Sequence, residues 1–424
     1  MRLGWVVVGA LASGCWQGNP YFEAGDGGAS STSSASSTGE ASTSTTGTST
    51  DVSGSAGESS TTGVMCGPPP EAPAAVWMVV DEVNDMANVR SLLRLDAAER
   101  RAKARYSMND AGSSRVVVNA FGDAATVGGG DTVVVFAADA SRCPEVAASS
   151  ASPTDVRPWL GDGCMRWSAQ GPVGAFMVAW EGLDADGCPA ASPGLWVAGK
   201  DPNDAAAPAV FSRFVEGVQI ESMVVEWPVG IPYLASVDRQ GRLWATGSLV
   251  DGAVSTAVMI RPDLTSVDIT PPAQTYGQTL DDEGILWAAG PAGIYRLDTN
   301  AVEGTWAWET ALDRPDLHGW GVTFADGRLW VGQGDVDAFG SCGVVTYEPG
   351  LMAEKAGAVE CVRPKGVAID TYGTLWVADT GGLLRVYDAR SFTAILLADM
   401  PPGTVVPQTY SDFTGLALRR ALGL

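Results

Sequence analysis

Short apolar runs alternate with polar turns through most of this chain, and the alternation itself recurs. Residues 366–370 (Gly-Val-Ala-Ile-Asp), 375–378 (Leu-Trp-Val-Ala) and 383–387 (Leu-Leu-Arg-Val-Tyr) are separated by Asp-Thr-Tyr-Gly and Asp-Thr-Gly-Gly. Apolar runs this short, bounded by Asp and Gly, read as strands joined by tight turns. The Asp accepts hydrogen bonds from the turn backbone, and the Gly tolerates positive φ. A fourth strand fits at 393–397. The same grammar runs through 276–298, 233–248 and 320–334, where the turn shortens to Ala325-Asp326-Gly327. In each unit the second run opens on one phrase, Gly-x-Leu-Trp or Gly-Leu-Trp. It places Trp196, Trp244, Trp287, Trp330 and Trp376 at steps of 43 to 48 residues. A repeat of about 40 to 50 residues made of short strands predicts an all-β β-propeller with one four-stranded blade per repeat.

The earlier units are degenerate but readable. Residues 176–180 form a first strand, joined to the strand around Trp196 by a longer loop that holds Cys188. Residues 115–119 and 133–136 read as the first and second strands of the preceding unit. Residues 76–80 read as a second strand and 91–95 as a third, with only a Pro-rich stretch before them. The missing first strand is found at the other terminus, where 414–418 (Thr-Gly-Leu-Ala-Leu) repeats the pattern of 365–369. Second strands at Trp77, Val134, Trp196, Trp244, Trp287, Trp330 and Trp376 give seven blades; six or eight fit less well. The C-terminal strand is expected to pair into the N-terminal blade and close the ring, which leaves fewer sheet edges exposed. The repeated Trp are expected to pack blade against blade rather than to stack a ligand, and the Asp of the Asp-x-x-Gly turns to form turns rather than bind metal.

Three regions follow: a leader at 1–15, a linker at 16–73 and the propeller at 74–424. Arg2 precedes an apolar stretch, residues 3–12, with the length of a signal-peptide core and too short to span a bilayer. Ala12-Ser13-Gly14-Cys15 then resembles a bacterial lipobox with Ala12 where Leu is usual. Cys15 is expected to carry lipid and hold the protein to the bacterial outer membrane, on its periplasmic or outer side. An ordinary secretory peptide with an incidental cysteine is the competing reading. The linker is Ser, Thr, Gly and Ala with scattered acids. From about Gly25 to Gly63 it offers almost no large apolar side chain for a core and reads as a flexible tether of about 40 Å root-mean-square reach.

Charge and cysteines narrow the class. With 49 acidic and 26 basic residues the formal charge is −23, which makes nucleic acid an unsuitable partner. Of seven cysteines, Cys15 is set aside for lipid, leaving Cys66, Cys143, Cys164, Cys188, Cys342 and Cys361. An even number in an exported chain suggests disulfides. Cys342 and Cys361 flank two strand-like runs, 343–348 and 358–360, roughly symmetric about a turn near Gly350. They are expected to bond across that hairpin.

Residues 364–388, with Gly-Val-Ala-Ile-Asp, Gly-Thr-Leu-Trp-Val-Ala-Asp and Gly-Leu-Leu-Arg-Val-Tyr-Asp, resemble the NHL-type repeat. The unit is also similar to the propellers of streptogramin lyases and of the gluconolactonase/regucalcin group. These resemblances imply a fold more than an activity. Streptogramin lyases use several histidines with an acid and magnesium at the central mouth. This chain has one histidine, His318, which reads as a loop or inter-blade histidine. Gluconolactonase-like enzymes hold a divalent cation through Glu, Asn and Asp at the mouth, and such oxygen ligands suit calcium; no residue-by-residue match to that set emerges. Asp184-Ala185-Asp186-Gly187 is like a fragment of a calcium loop but reads as a solvated turn. No catalytic residue, cofactor site or metal site is therefore assigned. The leading expectation is a membrane-tethered binding module that shows a propeller face to a protein, glycan or peptide. The alternatives are a divalent-metal-dependent hydrolase or lactonase with carboxylates around the channel, and a purely structural sensor or assembly subunit.

Overall fold

In a computed structural model the chain is a seven-bladed β-propeller. The structure describes Cys66, Pro70, Glu71 and residues 74–424 apart from 85–86, 109–114, 185, 248–255, 316, 335–341, 349–352, 358–360, 362–363, 380–382, 401–404, 408 and 410–412. Cys15, the leader and most of the linker lie outside the described residues. No described helix is long and apolar enough to cross a membrane.

From the axis outward, blade three is built from Ala175–Trp180, Leu195–Gly199, Ala209–Val215 and Val218–Val225, all antiparallel. Blade four repeats the order from Pro232–Val237 to Ser266–Asp268, blade five from Gly277–Leu280 to Trp308–Asp313, and blade six from Gly319–Ala325 to Ala353–Gly357. Blade seven has three strands, Pro364–Ile369, Thr374–Asp379 and Leu383–Asp388. The fourth strand expected at 393–397 is reduced to one bridge, Tyr387 to Ala394. Second-strand Trp196, Trp244, Trp287, Trp330 and Trp376 are at most 2% exposed. Each packs into the following blade: Trp244 against Leu280 and Leu286, Trp287 against Phe324 and Leu329, Trp330 against Ile369 and Leu375. The binding force of the ring is thus a repeated inter-blade burial, about 25 cal/mol for each Å² of apolar surface removed from water.

Blade two corrects one reading. Its strands are Val116–Val118, Ala124–Val127, Thr132–Phe136 and Met165–Gln170. The run around Val134 is therefore the third strand, and the second is Ala124–Val127. That second strand lacks the Trp and is less apolar than the Val-rich run behind it, which drew the assignment one strand outward. Between the third and fourth strands the chain crosses to blade one, where Val156–Pro158 adds a fifth, parallel strand beside Arg101–Ser107.

Blade one closes the ring. Ala75–Asn84 pairs with Ala87–Asp96 on one side and with Val405–Pro407 on the other. Further along, the Trp77 N–H donates to the Phe413 carbonyl (3.0 Å) and the Val79 N–H to Thr409 Oγ1 (2.9 Å). The C-terminal segment does complete the N-terminal blade, but residues 414–418 are not its strand. Gly415 turns left-handed (φ 74°), and Leu416–Leu422 is an α-helix, α1. Leu, Ala and Arg, which fill α1, are among the best helix formers. The Leu-Ala-Leu alternation imitated a strand.

Among the described residues three disulfides are present: Cys66–Cys188, Cys143–Cys164 and Cys342–Cys361. The last spans the hairpin of Gly343–Glu348 and Ala353–Gly357; the second run of that hairpin lies before 358–360, not within it. Cys66–Cys188 fastens the end of the linker to the loop between the first two strands of blade three.

Candidate functional site

The innermost strands surround a central axis with two mouths. One mouth carries the turns from each first strand to its second. In blade seven, Asp370 Oδ1 accepts the N–H groups of Tyr372 (2.8 Å) and Thr374 (2.9 Å), and Oδ2 accepts the indole N–H of Trp376 (2.8 Å). Asp238 does the same with Gln240, Arg242 and Trp244, and Asp281 with Glu283, Ile285 and Trp287. The Gly of the turn takes φ near +72° in blade seven and +73° in blade four, which glycine adopts without strain. One carboxylate therefore shapes the turn and orients the inter-blade Trp six residues on. Burial pushes the Asp281 and Asp370 carboxyls up from their ordinary value, against the pull of the donors around them. In blade three Glu181 takes the place of Asp, accepting from Trp196 (2.9 Å) while paired with Arg213. In blade six the Ala325 carbonyl receives the Trp330 indole (3.2 Å). In blade two Asn119 Oδ1 shapes the turn.

This mouth is stoppered by α1. Arg419 donates to the Ala120 carbonyl of blade two (2.9 Å), and Arg420 pairs with Asp326 of blade six (2.6 Å). The Ala421 carbonyl accepts from Arg239 of blade four (2.7 Å). Leu422 lies so close to Gly182 of blade three that a Cβ there would overlap it. One helix thus touches turns of four blades. Beneath it is a cavity of about 70 Å³, lined by Val118, Trp180, Leu234, Ser236, Gln278 and Leu418 among others.

The opposite mouth carries an arc of side chains from blades two to seven that sequence reasoning missed. Phe176, Tyr233, Tyr276, Trp320 and Lys365 each stand five residues before the turn position, and Arg115 four before Asn119. The offset has a cause. Register shifts mark β-bulges at Phe176, Tyr233, Lys365 and around Trp320, each adding one residue to the strand. Bulges re-aim the side chains they carry, here into one another. Phe176 stacks on Tyr233 (5.3 Å), and the Arg115 guanidinium lies 3.7 Å over the Tyr233 ring. Tyr233 Oη donates to Tyr276 Oη (2.7 Å), Tyr276 meets Trp320 edge-on (4.5 Å), and the Lys365 ammonium sits 5.5 Å from the Trp320 ring. Gly277, Gly321 and Gly366 follow three of these residues. A Cβ at each would fall about 2 Å from the carbonyl of Trp320, Lys365 or Thr409 in the next blade. The aromatic-Gly pairs Tyr276-Gly277 and Trp320-Gly321 were the available signal, obscured because the bulge breaks the alternation.

His318 and the Asp184–Gly187 turn do not converge on one site. The His318 N–H donates to the Pro291 carbonyl of blade five, and its own carbonyl accepts from Gly334, so its backbone links blades. Asp184 Oδ1 accepts the N–H groups of Asp186 and Cys188, the bonding of a turn. Among the described residues no group of three or more His, Cys, Asp or Glu is arranged to hold a metal ion.

No protein-family model matches the sequence, and a search of the curated proteins finds no match either. Among solved structures the chain is similar to a functionally unknown protein from Desulfotomaculum acetoxidans DSM 771: 9% identity and a TM-score of 0.52 over 79% of this chain and 100% of that one. It is also similar to Kuenenia stuttgartiensis hydrazine synthase (10% identity, TM-score 0.48, 76% and 98% covered) and to the WD40 repeats of RRP9 (10%, 0.47, 73% and 92%). The first of these likenesses carries the propeller fold and no chemistry.

Proposed function

We propose that this protein is a non-enzymatic binding propeller, exported and held to a bacterial outer membrane by lipid on Cys15, with residues 16–73 as its tether. It serves a partner through its rims and outer faces rather than its axial channel. The observation that carries this reading is that α1 caps one mouth, bonded to turns of blades two, four and six, while the residues from Arg115 to Lys365 at the other mouth are engaged with one another. The turn acids, which a carboxylate-based metal hydrolase would need free, are engaged by turn N–H groups and indoles. Three disulfides agree with an oxidising compartment.

Two experiments test it. The full-length protein, assayed on lactone and ester substrates with and without millimolar calcium, is expected to show no turnover and no shift in Tm. A ligand that binds only the folded state at 100 times its Kd would add about 2.7 kcal/mol, so a calcium-dependent rise in Tm together with turnover would establish the hydrolase instead. Replacing Cys15 (Cys15→Ser) is expected to move the protein from the membrane fraction to the aqueous one. Identical fractionation of the two forms would remove the lipid anchor.

A further inference from the structure

Blade one takes its two innermost strands from opposite ends of the chain, so no turn joins them. A groove of about 530 Å³ opens there, on the face that also carries the α1-stoppered mouth. It lies within the roughly 300–1,000 Å³ of small-molecule sites. The turns that border this gap belong to blades seven and two, and they place Tyr372 and Phe121 along it. Both residues stand two positions after the turn-forming Asp370 or Asn119. The same position is Gln240 in blade four and Glu283 in blade five. Aromatic side chains thus stand at the turn position of the two blades that flank the gap. Tyr372 is 55% exposed and gains little from packing there.

The walls are charged and balanced. Arg94, Lys103 and Arg142 face Glu71, Asp96 and Asp139. Several are held in place: Arg94 donates to the Ala138 carbonyl (3.1 Å), Lys103 pairs with Glu99 (2.7 Å), and Arg142 pairs with Asp123 (2.8 Å) while lying 4.6 Å over the Phe121 ring. On a chain of charge −23 this local neutrality disfavours ligands of strong charge of either sign. Donors and acceptors interleaved between aromatic faces suit a molecule with an apolar C–H face and many hydroxyls, each both donor and acceptor. That is the chemistry of a sugar ring. An extended peptide is less well served, because the outer edge of blade one is already paired by Val156–Pro158.

We infer that this groove is a binding site for a short neutral oligosaccharide, with Tyr372 as its stacking platform. The inference rests on the reading of the protein as a binding module. Its test is titration of the full-length, disulfide-intact protein with neutral trisaccharides of glucose, xylose and N-acetylglucosamine, followed by isothermal calorimetry and saturation-transfer NMR. At least one is expected to bind saturably. Tyr372→Ala is expected to weaken that binding about tenfold or more, the loss of one aromatic anchor, with Tm unchanged because the ring is exposed, and Tyr372→Phe is expected to retain it. No saturable binding across the panel, or equal binding by the wild type and Tyr372→Ala, would overturn the site. None of these results touches the binding-module reading, which is judged by calcium and turnover; cleavage of a bound trisaccharide would instead keep the groove and end the non-enzymatic reading.

Discussion

Deleting Val405–Leu424 is expected to unfold the ring or lower its Tm by well over about 10 °C. The deletion strips the innermost strand from blade one. The Trp77 N–H loses the Phe413 carbonyl and the Val79 N–H loses Thr409 Oγ1. Each orphaned buried donor costs about 1–3 kcal/mol. Phe413, fully buried, takes about 2–3 kcal/mol of apolar burial with it. The sum is a large part of the 5–15 kcal/mol that typically holds a protein together, and it also bares a long strand edge that invites aggregation. Removing only Leu416–Leu424 separates closure from plugging. That shorter deletion keeps the Val405–Pro407 pairing and the Phe413 and Thr409 bonds to Ala75–Asn84 and discards α1, so it is expected to cost less and to open the mouth above the 70 Å³ cavity. Thermal denaturation of the two truncations decides the matter. Equal losses would mean that the ring is held by the helix and not by the strand.

The blades were legible where periodicity and turn chemistry agreed. In blades four, five and seven the spacing from Asp to Gly to Leu-Trp is fixed by a carboxylate that must reach two turn N–H groups and one indole, so the phrase survives in the sequence. Where another group does that work, as with Glu181 in blade three or the Ala325 carbonyl in blade six, the phrase loosened but the Trp still marked the strand. In blade two, with no such Trp, the strand assignment slipped by one. The arc of Arg115 to Lys365 was hidden for a different reason: a bulge costs one residue of register and reverses the apparent inward face of what precedes it. The C-terminal segment misled because a strand and a short helix can share an apolar trio such as Leu-Ala-Leu, and only the left-handed Gly415 before it separates them. The groove beside blade one could not be read at all. It arises from the absence of a turn, and it becomes visible only when residues near 75, 121, 138 and 372 are brought together.

The turn acids have a structural use that variants can measure. In the blade-seven turn, Asp370→Asn is expected to cost about 1–3 kcal/mol. The amide oxygen still accepts from Tyr372 and Thr374, but the amide nitrogen now faces the Trp376 indole, donor against donor. Trp376→Phe is expected to cost at least as much, since Asp370 Oδ2 keeps its burial and loses its donor, and a fully buried indole leaves a void against Met78 and Trp77 of blade one. The double variant is expected to fall short of the sum by about 1–2 kcal/mol, the signature of two groups acting on each other. The pH dependence adds an independent readout. Burial raises the folded-state pKa of Asp370 above its ordinary 3.8. The folded state therefore holds the proton more tightly than the unfolded chain across that window. The favourable contribution of this group is full below the unfolded value and is lost as pH rises through the folded one, staying flat above it. Stability measured by denaturant titration should accordingly fall more steeply with rising pH in the wild type than in Asp370→Asn, in the range just above the ordinary aspartate pKa. Additive single costs together with parallel pH profiles would show that carboxylate and indole are neighbours only, and that the repeat is kept by packing of the Trp alone.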